Sequence, residues 1–438
     1  MYLRARVWLL RNISSVLNKP HNPLYARLHT EGCCPELNEG ETKLLMNDVR
    51  KELHNIVGAS KNWSEHLKSA KERASLNSLL VESQDSLPCR RMKDSYLEAY
   101  LPLGSRPLLR EQYLNVHNLV RFGRILEDLD SFGVLISYTH VKTDTPRSPF
   151  SIVTALVDEI DLVKKVILPD CDLKFSGHVT WVGRSSMEVQ MHVSQYQNGA
   201  FSPVLEATFV MVARDASNKR GALINPLKPE CPEEEKLFQQ GDSNKAKRTA
   251  LKETSLLKTA PNEDEQKIIH EMFLETLDVR TVSFHSRVLP KNSVWMEDSK
   301  LKSLEICHPQ ERNIFNKIFG GFLMRKAFEL AWANACVYGS SRPYPVAVDD
   351  ILFQKPVEIG SLLYLSSQVC YTEGNYIQVR VHSTVVDPVS REHHTTNTFH
   401  FTFGSENEVM QVFPKTYGES MLYLDGKRHF KARLNNCN

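Results

Sequence analysis

Asn313-Ile314-Phe315-Asn316-Lys317-Ile318-Phe319-Gly320-Gly321 runs directly into an apolar stretch from Phe322 to Cys336. Paired glycines at the mouth of a helix let a second backbone, or a ligand carbonyl, come close. The N–H groups of a first helical turn have no partner inside the helix, and the helix dipole favours negative charge there. Such an end polarises a carbonyl. Asn313, one short loop upstream, adds a polar hand for a water or an oxyanion. Together these residues point to acyl chemistry without a serine nucleophile.

The elements that must position them follow from composition and periodicity. The chain has 438 residues, 41% hydrophobic and 24% charged, with a formal net charge of +2. That length predicts two or three domains with real cores. So small a charge gives no general electrostatic case for nucleic acid. No apolar run reaches the roughly 18 residues of a membrane span. The nine cysteines are scattered, with no C-x-x-C pair. Their odd number and spacing argue against a secreted disulfide framework and against a cysteine zinc site. No metal and no cofactor are expected.

The first thirty residues are set apart. Arg4, Arg6, Arg11, Lys19 and Arg27 precede the first acid, Glu31, while Leu3, Val7, Leu10, Ser14 and Leu17 fall near helical spacing. Arg-rich, acid-free and amphipathic is the pattern of a mitochondrial transit peptide, which predicts a mitochondrial, matrix location. Residues 31–91 read as a helical N-terminal extension of peripheral character, with a modest stripe of Leu44, Leu45, Val49 and Leu53.

From residue 92 the pattern becomes strand, apolar helix, then strands. Ser95–Leu103 reads as a strand and Phe122–Tyr138 as a helix. Ser151–Val157, Val179–Val182, Met187–Val193 and Val204–Arg214 read as further strands; Met187, Val189, Met191 and Val193 alternate with polar residues. Residues 216–280 read as a helical linker, with a helix expected over Glu263–Leu277. The first pattern then returns over 281–405. Arg287–Leu289 suggests a strand, Phe319–Cys336 is the helix, and Val346–Phe353 opens a second strand set. Glu373-Gly374-Asn375 signals a hairpin. Residues 406–438 are expected as a C-terminal tail.

The halves match in order. Phe122-Gly123 corresponds to Phe319-Gly320, Val157-Asp158-Glu159-Ile160 to Val348-Asp349-Asp350-Ile351, Val182-Gly183 to Ile359-Gly360, and Thr208-Phe209 to Thr398-Phe399. Such self-similarity indicates an internal duplication, residues 92–215 and 281–405. A helix apolar on nearly every face must be covered, so an antiparallel sheet wrapped around it satisfies each half.

This order, with the Asn-x-x-Asn-x-x-Phe-Gly-Gly run and His308-Pro309-Gln310-Glu311-Arg312 before it, resembles the tandem mitochondrial members of the hotdog-fold acyl-CoA thioesterases. The resemblance implies an α+β double hotdog, two repeats each with a sheet around a central helix. It implies hydrolysis of acyl-CoA to fatty acid and coenzyme A, with acyl-CoA as the partner molecule and further association into homo-oligomers. It also implies a site shared between halves: an Asn before the glycine pair of one, and an Asp in the helix of the other. Asn115 and Asp130 occupy that register in the first repeat, with Phe122 and Gly123 at the glycine positions. The second repeat keeps Asn313, Gly320 and Gly321, but Phe328 stands at the Asp position. Asn313 with Asp130 makes one complete site. Asn115 with Phe328 makes a degenerate one.

A thioester is already activated, so its hydrolysis needs a positioned water, a base and charge stabilisation. Asp130 is the candidate base, or a nucleophile through a mixed anhydride. Asn313 orients the water or the carbonyl, and the N–H groups of Gly321 and Phe322 are the expected oxyanion donors. Gly320, Arg312, Lys317, Arg325 and Lys355 are available to the substrate, the cations for coenzyme A phosphates. His308 reads as a loop residue, and Asp158 and Asp349 as structural positions at strand ends. The chain contains no G-x-S-x-G, Walker A, G-x-G-x-x-G or H-E-x-x-H motif. A hotdog hydratase needs an Asp-His pair on the helix, and neither helix segment has that histidine. A non-catalytic acyl-CoA sensor is the competing class.

Overall fold

A computed structural model describes residues 43–436 apart from 59, 61, 279 and 282. The expected transit peptide at 1–30 lies outside the described residues. Two helices open the described chain, α1 (Met46–Val57) and α2 (His66–Ala74). The first repeat is β1 (Leu97–Leu101), α3 (Phe122–His140), β2 (Ser151–Leu162), β3 (Leu173–Val182), β4 (Ser186–Gln197) and β5 (Ala200–Arg214). Helices α4 (Pro232–Glu253) and α5 (Glu263–Glu275) follow. The second repeat is β6 (Ser293–Trp295), β7 (Leu301–Ile306), α6 (Gly320–Gly339), β8 (Tyr344–Phe353), β9 (Leu362–Glu373), β10 (Tyr376–Val386) and β11 (His393–Gly404). Strand β12 (Gln411–Phe413) and helix α7 (Tyr417–Asn436) close the chain.

Ten strands make one antiparallel sheet in the order β1-β3-β4-β5-β2-β8-β11-β10-β9-β7. The two halves of that order are the same topology read inward from opposite edges. They meet at the β2–β8 pair, where Ile160 faces Val348 and Val157 faces Ile351. The sheet is therefore continuous through the seam between the halves, and both halves have one strand order. Three of the four sequence matches shift: Phe209 faces Val157 as Phe401 faces Val348, so Phe209 matches Phe401 rather than Phe399; at the helix starts Gly123 matches Gly321 rather than Gly320; and the Val182–Ile359 match does not hold. Gly183 lies in the β3–β4 turn, whereas Gly360 precedes β9, so these glycines are not equivalent.

Alternation explains the layers. Phe399, Phe401 and Phe403 on β11 are buried against α6, as Met187, Val189, Met191 and Val193 on β4 are against α3. Helices α3 and α6 pack on each other between the two halves. Arg325 Nε lies 3.0 Å from Glu127 Oε1 and Arg121 Nη2 2.6 Å from Glu329 Oε1. Gly123 and Gly321 occupy equivalent positions at the two helix starts. A Cβ on either would run into the facing helix, Arg325 in one case and Glu127 in the other.

Four expectations need correction. No strand forms at Arg287–Leu289; Arg287 makes only an isolated bridge to Leu277, and β6 and β7 supply the strands. The linker contains a 22-residue helix, α4, with Pro232 at its start and Glu233–Glu235 in its first turn. It packs on the first half, where Trp181 Nε1 donates to Asp242 at 2.8 Å and Arg248 Nη1 meets Asp158 at 2.6 Å. The expected tail is helix α7, whose Tyr423, Leu424 and Phe430 are buried. The extension is not peripheral either. Val49, Leu53 and Val57 are buried, and Arg73 donates to the Val57 and Phe150 carbonyls.

Candidate active site

The two Asn loops are built alike. Asn313 Oδ1 accepts from the Phe315 and Lys317 N–H groups at 2.8 and 3.1 Å. Asn115 Oδ1 accepts from the His117 and Leu119 N–H groups at 2.9 and 3.1 Å. Asn316 and Asn118 then turn the chain with φ of 58° and 56°, a conformation Asn tolerates better than most residues. Each Asn therefore spends its oxygen on its own loop, as the duller sequence reading allowed. Its Nδ2 remains as the group to offer a ligand. Neither helix that follows has a capping side chain, because Phe319 and Arg121 stand at the N-cap positions.

Asp130 sits on α3 of the first repeat, 2% exposed. Oδ2 accepts from the Gly321 N–H at 2.8 Å, across the repeat boundary. Oδ1 accepts from Thr154 Oγ1 on β2 at 2.5 Å. Burial pushes its pKa up to about 6; the bonds from Thr154 and Gly321 and the charge of Arg50 oppose that shift without cancelling it. The acidic run Glu127-Asp128-Leu129-Asp130 is no solvated face. Glu127 pairs with Arg124 and Arg325, and Asp128 accepts from Tyr113 Oη at 2.7 Å.

Asp130, Asn313 and Gly320 line one cavity of 370 Å³. Thr154, Ser131, Val134, Leu323 and Phe353 form its inner wall, and Arg312, Lys317 and Lys355 stand among its other lining residues. The N-terminal extension completes it. Arg50 on α1 lines the cavity, donates to Ser131 Oγ at 3.3 Å and lies 4.9 Å over the Phe319 ring. Arg73 covers Phe315 and Trp63 lies under Arg312, so the extension grips the Asn313 loop from outside. A buried carboxylate, a side-chain amide and a helix N-terminus around one cavity suit hydrolysis of an activated acyl group.

No family model matches the chain. Among solved structures, an acyl-CoA hydrolase from Staphylococcus aureus is 24% identical, covers 33% of this chain and 94% of its own, and gives a TM-score of 0.31. Acyl-coenzyme A thioesterase 9, mitochondrial, of Bos taurus is 65% identical over 404 residues, 92% of each chain. The Homo sapiens protein of that name is 67% identical over 388 residues, 88% of each. Acyl-coenzyme A thioesterase 2, chloroplastic, of Humulus lupulus is 37% identical over 73% of this chain and 76% of its own. The chain belongs to the acyl-coenzyme A thioesterase family.

The thioesterase carries a second cavity, of 1020 Å³, and it holds the other crossing: Asn115, Phe122, Gly123 and Phe328 all line it. Phe122 stands where the second repeat has Gly320, and Phe328 where the first has Asp130. Their rings pack edge to face at 5.0 Å. Both replacements thus act on one spot, filling with two rings the place where the first cavity has a carboxylate and an open backbone.

Several single-residue expectations change. The Gly321 N–H is committed to Asp130, and neither Gly321 nor Phe322 lines the cavity. Phe322 is buried, with Arg325 and Lys326 over its ring. Gly320 lines the cavity instead, and its N–H belongs to the unpaired first turn. A Cβ there would stand 3.2 Å from Asp130 Oδ2. Lys317 is paired with Glu358 at 2.5 Å. Arg325 belongs to the contact between the helices rather than to the cavity. Sequence reasoning missed Thr154 and Arg50. Thr154 is one threonine in a β-rich run, and Arg50 lies in a helix that periodicity assigned to the surface.

Proposed function

We propose that the thioesterase hydrolyses acyl-CoA in mitochondria, to a free fatty acid and coenzyme A, at a single site formed by Asp130 of one repeat and Asn313 of the other. The observation that carries this is Asp130 held 2.8 Å from the Gly321 N–H of the opposite helix, in the wall of the cavity that Asn313 also lines. The matrix is the proposed compartment. Each half is read as a hotdog unit, residues 92–215 and 281–405. An apolar strip of exposed Leu304, Ile306 and Tyr364 near the sheet edge supports association with further copies.

In this reading the thioester carbonyl lies beside the Gly320 N–H and Asn313 Nδ2. Asp130, ionised, takes a proton from a water that attacks the carbonyl carbon. The tetrahedral oxyanion is held by the Gly320 N–H and Asn313. Its collapse breaks the C–S bond, and the coenzyme A thiolate leaves and is protonated. Thr154 and the Gly321 N–H fix the carboxylate. Lys355 and Arg312, both in the cavity lining, are the cations available to the coenzyme A phosphates.

Because Asp130 works ionised, kcat/KM rises with pH to a plateau above its value of about 6 and falls tenfold per unit below it. A flat profile between pH 5 and 7 would remove Asp130 from the role of base. The site assignment is tested by matched variants assayed for release of free coenzyme A thiol. Asn313→Asp keeps the oxygen that both loop N–H groups need and loses the Nδ2 donor. It lowers kcat about a hundredfold. Asn115→Asp makes the same change in the second cavity and leaves the rate within about twofold, well below what loss of a transition-state donor costs. Equal losses in both would mean two working sites, and no hydrolysis by the unaltered chain would leave a binding protein.

A further inference from the structure

The outer face of the sheet carries a group of residues that the hydrolytic site does not use. On β8 and β11, Asp349 and His400 are directly opposite each other across the antiparallel pair. Both are buried. Helix α7 lies over them and presents Asp425 and His429, four residues apart and so on one helix face. His400 Nε2 is 3.9 Å from Asp425 Oδ2, and His429 Nδ1 is 3.8 Å from Asp349 Oδ2. One ligand atom from each of His400, Asp425 and His429 falls within 4.8 Å of the others. Two imidazoles and one carboxylate thus converge, and the Asp349 carboxylate stands beside them, 3.8 Å from His429 Nδ1.

The equivalent place in the first repeat shows what the fold asks for there. Asp158 corresponds to Asp349, and helix α4 covers it as α7 covers Asp349. There a cation from the covering helix answers the acids: Arg248 lies 2.6 Å from Asp158 and 3.3 Å from Glu188. In the second repeat the covering helix brings a histidine and an aspartate instead. The seam adds negative charge, since Glu159 faces Asp349 across β2–β8 and Asp350 follows it. On the other side Arg380 faces His400 across β10–β11. The His400 and His429 rings stack at 3.9 Å. Imidazole and carboxylate side chains are the usual nitrogen and oxygen ligands of a divalent transition metal.

We propose that His400, His429 and Asp425, with Asp349 beside them to complete the set, bind one divalent cation of the zinc class, which takes the place that Arg248 holds in the first repeat and clasps α7 to the sheet. These three ligand atoms stand within 4.8 Å of one another, against an edge of about 3.3 Å in a tetrahedral N/O zinc site, and side-chain rotations would have to draw them in. The four side chains are on the sheet face opposite α6, away from the cavity, so the cation is structural and takes no part in hydrolysis.

The test uses the full chain, stripped with a chelator and titrated with Co2+ and then with Zn2+. One equivalent of Co2+ per chain, with the visible bands of a four-coordinate ion and displacement by one equivalent of Zn2+, is expected. Saturating Zn2+ should also raise the thermal midpoint. His400→Gln and His429→Gln should each weaken binding about a hundredfold. Absence of stoichiometric Co2+ or Zn2+ binding to the unaltered chain would overturn the proposal without any variant needing to fold. So would undiminished binding by the double variant, which would place the metal on other histidines.

Discussion

Asp130→Asn should lose at least a hundredfold in hydrolysis, bind acyl-CoA as before, and unfold at a higher temperature than the unaltered chain. The loss is that of a general base. The gain follows from burial. The folded pKa, about 6, lies above the ordinary 3.8 of an aspartate. Stability from the bound proton is therefore complete below pH 3.8 and is lost as pH rises through 6. At neutral pH the ionised carboxylate costs on the order of 3 kcal/mol. Asparagine removes that cost and still fits its partners. Its oxygen accepts from the Gly321 N–H, and its nitrogen donates to Thr154 Oγ1, which accepts as readily as it donates. Thermal unfolding at pH 7.5 and at pH 4 checks the sign. The variant's advantage should be present at the first and absent at the second. A destabilised variant at both would mean that Asp130 is kept for packing.

Gly321→Ala should be far more damaging than Gly123→Ala, although the two glycines hold equivalent positions. A Cβ at 321 would lie 2.8 Å from the Glu127 Cα and 2.6 Å from the Phe319 ring. The Cα is backbone of a helix wedged against the sheet, so the helices must separate. Overpacking of this kind costs about 1–3 kcal/mol. It also moves the N–H that holds Asp130, and a displacement of about 1 Å is worth about a hundredfold in rate. At 123 the added carbon meets Arg325 Cγ at 2.9 Å and its Cα only at 3.6 Å. A long side chain can yield there, and alanine's helix propensity returns about 1 kcal/mol. Denaturant midpoints and coenzyme A release for both variants check this. Comparable losses would show that the helix contact is symmetric in strength as well as in position.

What could be read from the sequence was whatever recurs. The helices from Phe122 and Phe319, the alternating strands and the Asn loops each appear twice, so one copy vouches for the other. Even the missing carboxylate at Phe328 was legible, since Asp130 marked where it should stand. Residues without a counterpart were not. Arg50 acts on the cavity from α1, which no repeat mirrors. Helix α7 read as a tail because its apolar positions are few, and burial comes to it from the sheet. Which N–H faces the cavity was out of reach for a different reason. Spacing puts Gly320 and Gly321 at the same helix mouth, and only their distances to Asp130 say which N–H is already taken.

The Glu127–Arg325 pair has a consequence for which chains can associate. The two residues hold equivalent positions in the two repeats, so their contact falls on the axis that relates the halves. Two first repeats would bring Glu127 against Glu127 there, and two second repeats Arg325 against Arg325. Each half thus repels a copy of itself and accepts the other. Detached halves of this protein should recognise each other in a mixture and remain apart when pure. The covalent join then sets their local concentration rather than their choice of mate.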